Sequence, residues 1–314
     1  MTRIYLISFL AFLSAVILSL KFGASIDAST DVIFALRLPR VLLAAAVGIS
    51  LSVAGATLQA LFSNPLCEPY TLGISSGSAL GAVIGVASGF ELSAAGLTGS
   101  AFLGALAFTF ILHLISLARG SGSFTLLLSG VMLGFLGSSF VALIMATHDA
   151  GSLQGVLYWL LGDLSRARMA GSQIALTLSL VLSIAIWTKW RALDALLLGE
   201  EAALSVGISV KRERRVLMLF CSLLVGLAVS AAGMIGFIGL VIPHFARRLV
   251  GSLHSRLLPI CALWGAIVLI SADLLARLII RPYELPVGVV TALIGAPVFL
   301  WIMLRRRESL GDLK

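Results

Sequence analysis

Apolar runs long enough to cross a bilayer follow one another along almost the whole sequence, and this pattern removes most folds from consideration. A hydrocarbon core about 30 Å thick takes roughly 20 apolar residues as helix, and backbone placed in lipid must satisfy its own hydrogen bonds. Runs near 4–22, 39–62, 72–90, 94–117, 124–146, 171–188, 213–233, 237–250, 256–280 and 286–304 predict about ten transmembrane helices. Composition agrees, with 60% of the 314 residues apolar and only 11% charged, where a soluble domain would be about one quarter charged. A water-soluble globule, a disordered chain and a disulfide-rich secreted scaffold are excluded. The expectation is an all-α, polytopic membrane protein forming one domain over 1–314.

The eighth run is too short for a comfortable span, and the segment 147–170 mixes polar and apolar residues as an interfacial segment would. The first run, after Arg3, has the length of a signal peptide but no convincing cleavage site, so it reads as a retained helix. With both termini inside, 15 of the 22 Lys and Arg residues fall on the cytoplasmic side and 7 outside. That obeys the positive-inside rule, whereas the inverted topology breaks it. The net charge of +8 is therefore mostly orientation, and no nucleic-acid partner is expected; the chain's solvent is membrane lipid.

The third run carries Gly73, Gly77, Gly81, Gly85 and Gly89, a ridge of glycines four apart that lets another backbone approach. Packing within one bundle and a moving interface are both compatible with it. Cys67, Cys221 and Cys261 have no CxxC spacing and read as small apolar filler. None of the four lysines follows a glycine, so no phosphate-binding loop of the G-x-x-x-x-G-K-[ST] type exists. Gly73-Ile74-Ser75-Ser76-Gly77 matches G-x-S-x-G, but opens a membrane helix rather than a strand-to-helix elbow. The four histidines show no metal-ligand spacing, and Asp273 and His113 sit toward helix ends rather than mid-span, which weakens a proton-coupled carrier. No catalytic residue, metal site or bound cofactor is expected.

Four segments are more specific. Leu36-Arg37-Leu38-Pro39-Arg40 opens the second run on the outside. Gln59 to Pro69, containing Asn64-Pro65-Leu66, continues into Leu72-Gly73-Ile74-Ser75-Ser76-Gly77. Gly236-Phe237-Ile238-Gly239-Leu240-Val241-Ile242-Pro243-His244 precedes Ala246-Arg247-Arg248. Glu284-Leu285-Pro286-Val287-Gly288 runs on to Gly295-Ala296-Pro297. In this order and spacing, over nearly the whole chain, they resemble the permease family of ATP-binding-cassette importers for iron-siderophores, haem and cobalamin.

The resemblance implies a ten-helix subunit in a bacterial inner membrane. It pairs with a second permease subunit, expected to be a second copy, and takes its energy from a cytoplasmic ATPase dimer that uses ATP and Mg. A soluble substrate-binding protein delivers the cargo: an iron chelate by first expectation, cobalamin by second. A gradient-driven secondary transporter is the alternative from another class. Arginines at the positions of Arg37, Arg40 and Arg277 receive carboxylates of the docked binding protein in such a family; generic outer arginines can equally be snorkelling anchors. Asn64 and Leu66 fall at its cytoplasmic gate, faced by Ser123, although Gly120 to Phe124 departs from the usual residues. The connection 189–215 matches its ATPase-coupling segment, with Gly199, Glu200, Glu201, Ala202, Leu204 and Gly207 forming a short helix between glycine stops.

Overall fold

The computed structural model describes residues 2–23, 30–89, 94–117, 122–148, 150–281 and 283–311. Among them there are helices and no strands. The first is α1 (Thr2–Lys21). A one-turn α2 (Thr30–Val32) and a π-turn over Ile33–Arg37 lead into α3 (Leu38–Leu61). Then come α4 (Ile74–Ala87), α5 (Ala94–Leu117), α6 (Ser123–Thr147) and α7 (Ala150–Leu160). The second half holds α8 (Met169–Trp187), α9 (Trp190–Leu197), α10 (Glu200–Ser205), α11 (Val210–Ala232), α12 (Ile238–Val250), α13 (His254–Leu278) and α14 (Val287–Gly311). Among the described residues, seven helical stretches are long and apolar enough to cross a membrane; Ile74–Ala87 and Val287–Ile302 are shorter apolar helices.

The bundle is built around α3. Its apolar window is 94% buried, against 17% for α1 and 11% for α6. Small side chains make this possible, because lipid supplies no hydrophobic drive between helices and close backbone contact must replace it. A Cβ on Gly48 would lie 2.2 Å from the Gly265 carbonyl oxygen of α13, and one on Gly55 would lie 2.0 Å from that of Gly239 in α12. Serines join the same packing: Ser52 Oγ donates to the Cys261 carbonyl at 2.8 Å, and Ser179 Oγ of α8 to the Ala46 carbonyl at 3.0 Å. The glycine ridge is spent inside the subunit as well. Gly77 and Gly81 of α4 abut α5 at Phe108, Gly104 and Ser100, while Gly73 abuts Gly130 and Gly134 of α6. Gly89 at the far end meets nothing within 4 Å.

The third run departs from expectation. A helix over 72–90 would span the bilayer, but α4 covers only 14 residues, about 21 Å at 1.5 Å per residue. Pro69 opens a 3-10 turn over Pro69–Leu72 and Gly73 closes it in the left-handed region at φ 71, so the α-helix begins only at Ile74. The eighth run is short as expected: α12 has 13 residues and follows its N-cap Phe237, itself at φ 70. The interfacial segment contains α7.

Candidate functional site: outer cluster, mid-depth break and cytoplasmic turn

At the outer end, the three sequence-predicted arginines are brought near one another but do not share one face. The π-turn over Ile33–Arg37 adds a residue to the helical repeat. Arg37, the last residue of that turn, points back to α1, where its Nη1 donates to the Leu20 and Lys21 carbonyls, both at 2.9 Å. Arg40 points inward, its Nε 2.7 Å from Asp273 Oδ1 and its Nη1 2.6 Å from Glu284 Oε2. Arg277, one turn beyond Asp273 on α13, places Nη2 3.0 Å from Asp273 Oδ2 and donates to Ser19 Oγ at 2.5 Å. All three arginines are buried in the isolated chain, and Asp273 is wholly buried. A carboxylate removed from water needs such partners. Asp273 is thus the keystone of a structural ion cluster, not a lone proton carrier.

Halfway along α3 the chain contains a second polar arrangement. The α12 backbone touches Leu51 and Gly55 of α3, so its first turn lies well inside the bundle. The exposed amides of a helix start need acceptors, and Phe237 at the N-cap has no side-chain oxygen to offer. The acceptors come from the break after α3. Glu68 Oε1 accepts from the Phe237 N–H at 2.8 Å, and Tyr70 Oη accepts from the Ile235 N–H at 2.5 Å. A carboxylate there also complements the positive end of the helix dipole. Irregular backbone at this depth is tolerable only when protein covers it, and these contacts provide the cover.

On the cytoplasmic side of that break, Asn64 Oδ1 accepts from the Leu66 N–H at 2.9 Å, folding 64–66 into a tight turn. The turn presents Leu66, 49% exposed. Ser123 is half-buried at the first position of α6, beside exposed Phe124. The part of α6 that packs on the break is Gly130 and Gly134; Ser123 lies about 10 Å nearer the inner end, at 1.5 Å per residue. Gly120 and Ser121 lie outside the described residues.

The connection 189–215 folds as two short helices, α9 and α10. Gly199 at φ 103 separates them and Gly207 at φ 82 turns the chain into α11. Glu200 pairs with Arg214 of α11, and Lys189 with Glu213 at 3.0 Å. Glu200, Glu201 and Leu204 are exposed and Ala202 is half-buried. Leu198, Leu204 and Val206 leave large apolar side chains uncovered, at 79%, 61% and 67%. Asp194 of α9 accepts from both the backbone N–H and Nδ1 of His254, at 2.9 and 2.6 Å. This ties the segment to the first residue of α13, whose other end bears Asp273 and Arg277.

Sequence reasoning weighed Asp273 only as a proton-carrier candidate and assigned no role to Glu284, Glu68, Tyr70, Asp194 or His254. The missing cap at Phe237 was the available signal for Glu68.

Comparison with known proteins places this architecture. The vitamin B12 import system permease BtuC of Vibrio cholerae is 42% identical over 291 residues, covering 92% of this chain and 87% of the relative. The hemin transport system permease HmuU of Yersinia pestis is 39% identical over 288 residues, with 90% and 86% covered. An inward-facing structure assigned to the metal-chelate type of ABC transporter superposes with a TM-score of 0.90 at 32% identity, over 97% of this chain and all of that one. The profile of the FecCD transport family matches residues 4–305, and the chain belongs to that family of ABC importer permeases.

Proposed function

We propose that this permease carries an iron chelate, a ferric siderophore or haem, through the bacterial inner membrane by alternating access. A soluble binding protein delivers the chelate to the outer cluster of Arg37, Arg40 and Arg277, whose guanidinium forks suit carboxylates. A cytoplasmic ATPase dimer, using ATP and Mg, engages the turn from Gly199 to Gly207. A second copy of the chain completes the pathway. Asn64 and Leu66, with Ser123, form the inner gate.

The observation that carries this reading is the layout of α13. One end is pinned to the cytoplasmic segment through Asp194 and His254, and the other holds Asp273 and Arg277 of the outer cluster. With 25 residues, the helix is about 37 Å long. A displacement of α9 by a partner would reach the outer face along this rod. Cobalamin is the second reading, favoured by the 42% identity to a vitamin B12 permease.

Substrate choice is tested by offering radiolabelled ferric siderophores, haemin and cyanocobalamin to vesicles containing the assembled importer. Accumulation of an iron chelate supports the proposal, and accumulation of cyanocobalamin alone replaces it with the second reading. The gate is tested with a bulky adduct on Leu66→Cys, which should abolish uptake; full uptake after labelling removes Leu66 from the gate.

A further inference from the structure

The two carboxylates on Arg40 differ in kind. Asp273 is a fixed partner: its side chain is 1% exposed and it also holds Arg277. Glu284 is 35% exposed and lies in the turn leading to α14, reaching the guanidinium from the outer rim. Two arginines and Asp273 leave one net positive charge buried at this point, and Glu284 cancels it. An outer cavity of about 180 Å³ opens beside the pair, lined by Arg40, Tyr158, Ser165, Glu284, Leu285 and Pro286. An incoming acidic side chain that reaches Arg40 through this cavity meets the guanidinium edge that Glu284 already occupies.

We infer that Glu284 is a built-in competitor for the docking carboxylate: it covers Arg40 in the undocked permease and is displaced when an acidic side chain of the binding protein takes its place. This rests on the docking role of Arg40 proposed above. The exchange keeps the charge count constant, one carboxylate leaving Arg40 as another arrives, so the buried cluster never carries an uncancelled positive charge. It also lowers the net gain from docking, which favours release after each delivery. A partner lacking a carboxylate at the right place has nothing with which to displace Glu284, so the contact selects as well as weakens.

The experiment compares the wild-type importer with Glu284→Ala and Glu284→Gln. Arginine modification by phenylglyoxal is read by peptide mass spectrometry, and affinity for the fluorescently labelled cognate binding protein is measured at low and high salt. Arg40 labelling should rise about tenfold in Glu284→Ala while Arg277, held by Asp273, stays unchanged. Affinity should rise by about the same factor, equal to roughly 1.4 kcal/mol. Glu284→Gln should fall between, since its amide oxygen can still accept from Arg40. Asp163→Asn removes another acidic group from the same cavity wall and should change affinity little, which separates displacement from general charge. Unchanged Arg40 labelling overturns the inference, as does increased labelling with unchanged or weaker binding. If Arg40→Glu leaves affinity unaltered, the docking role itself fails, and the labelling ratio alone still decides whether Glu284 covers Arg40.

Discussion

Asp194 and His254 meet twice, once through the ring and once through the backbone, where α9 passes the start of α13. The carboxylate caps the helix and fixes the imidazole together, so a rigid membrane helix begins on the segment proposed above to engage the ATPase. Asp194→Ala removes both bonds. It should lower the coupling of ATP hydrolysis to uptake several-fold while membrane insertion persists, as measured by the ratio of transported substrate to released phosphate. An unchanged ratio would detach α13 from the coupling path.

Gly207 lies at φ 82 with open space around it, so a side chain there meets strain and no clash. A β-branched residue in the left-handed region costs about 1–2 kcal/mol. Gly207→Val should therefore reshape the turn and raise ATP hydrolysis without transport, lowering the melting temperature by no more than a few degrees. Normal stoichiometry in this variant would remove the turn from the coupling role.

Asp273 and Glu68 should have different costs. Removing Asp273 takes the carboxylate from Arg277 and leaves Arg40 with Glu284 alone, and breaking a buried pair costs about 3–5 kcal/mol. Asp273→Asn should sharply reduce the yield of folded protein in detergent. Glu68→Ala removes one helix cap, worth about 0.5–2 kcal/mol, and should lower the melting temperature by a few degrees while folding survives. The reverse order would contradict the roles given to the two carboxylates.

Gly81 and Gly99 provide a matched pair. A Cβ at Gly81 would lie 2.2 Å from the Ser100 carbonyl oxygen, whereas one at Gly99 meets nothing within 4 Å. Gly81→Ala should destabilise by about 1–3 kcal/mol through overpacking, and Gly99→Ala should be neutral or slightly stabilising. Thermal unfolding in detergent reads both.

The helical spans were legible because lipid imposes one pattern, a long apolar run bounded by charge and proline. The runs near 94–117 and 124–146 became α5 (Ala94–Leu117) and α6 (Ser123–Thr147). The third run contained α4 but began at Leu72 and Gly73, where backbone conformation, not hydropathy, breaks the helix, and ran on past its end at Ala87. Arg37 and Arg40, three residues apart, turn toward different partners, Arg37 to the end of α1 and Arg40 to Asp273 and Glu284, and hydropathy carries no trace of it. Pairings across more than 200 residues, Arg40 with Asp273 and Glu284, depend on how the bundle closes. Only the unusual cost of a buried Asp273 hinted that such a partner must exist.

In the mechanism proposed above, a separate ATPase drives transport through this chain after a soluble protein delivers the cargo. The most direct test is substrate uptake into proteoliposomes holding the permease, with the ATPase, the binding protein and ATP omitted one at a time. Uptake that requires all three, and that persists when proton and sodium gradients are collapsed, is the predicted result. Uptake driven by a gradient without ATP would rule out that mechanism and establish a secondary transporter instead.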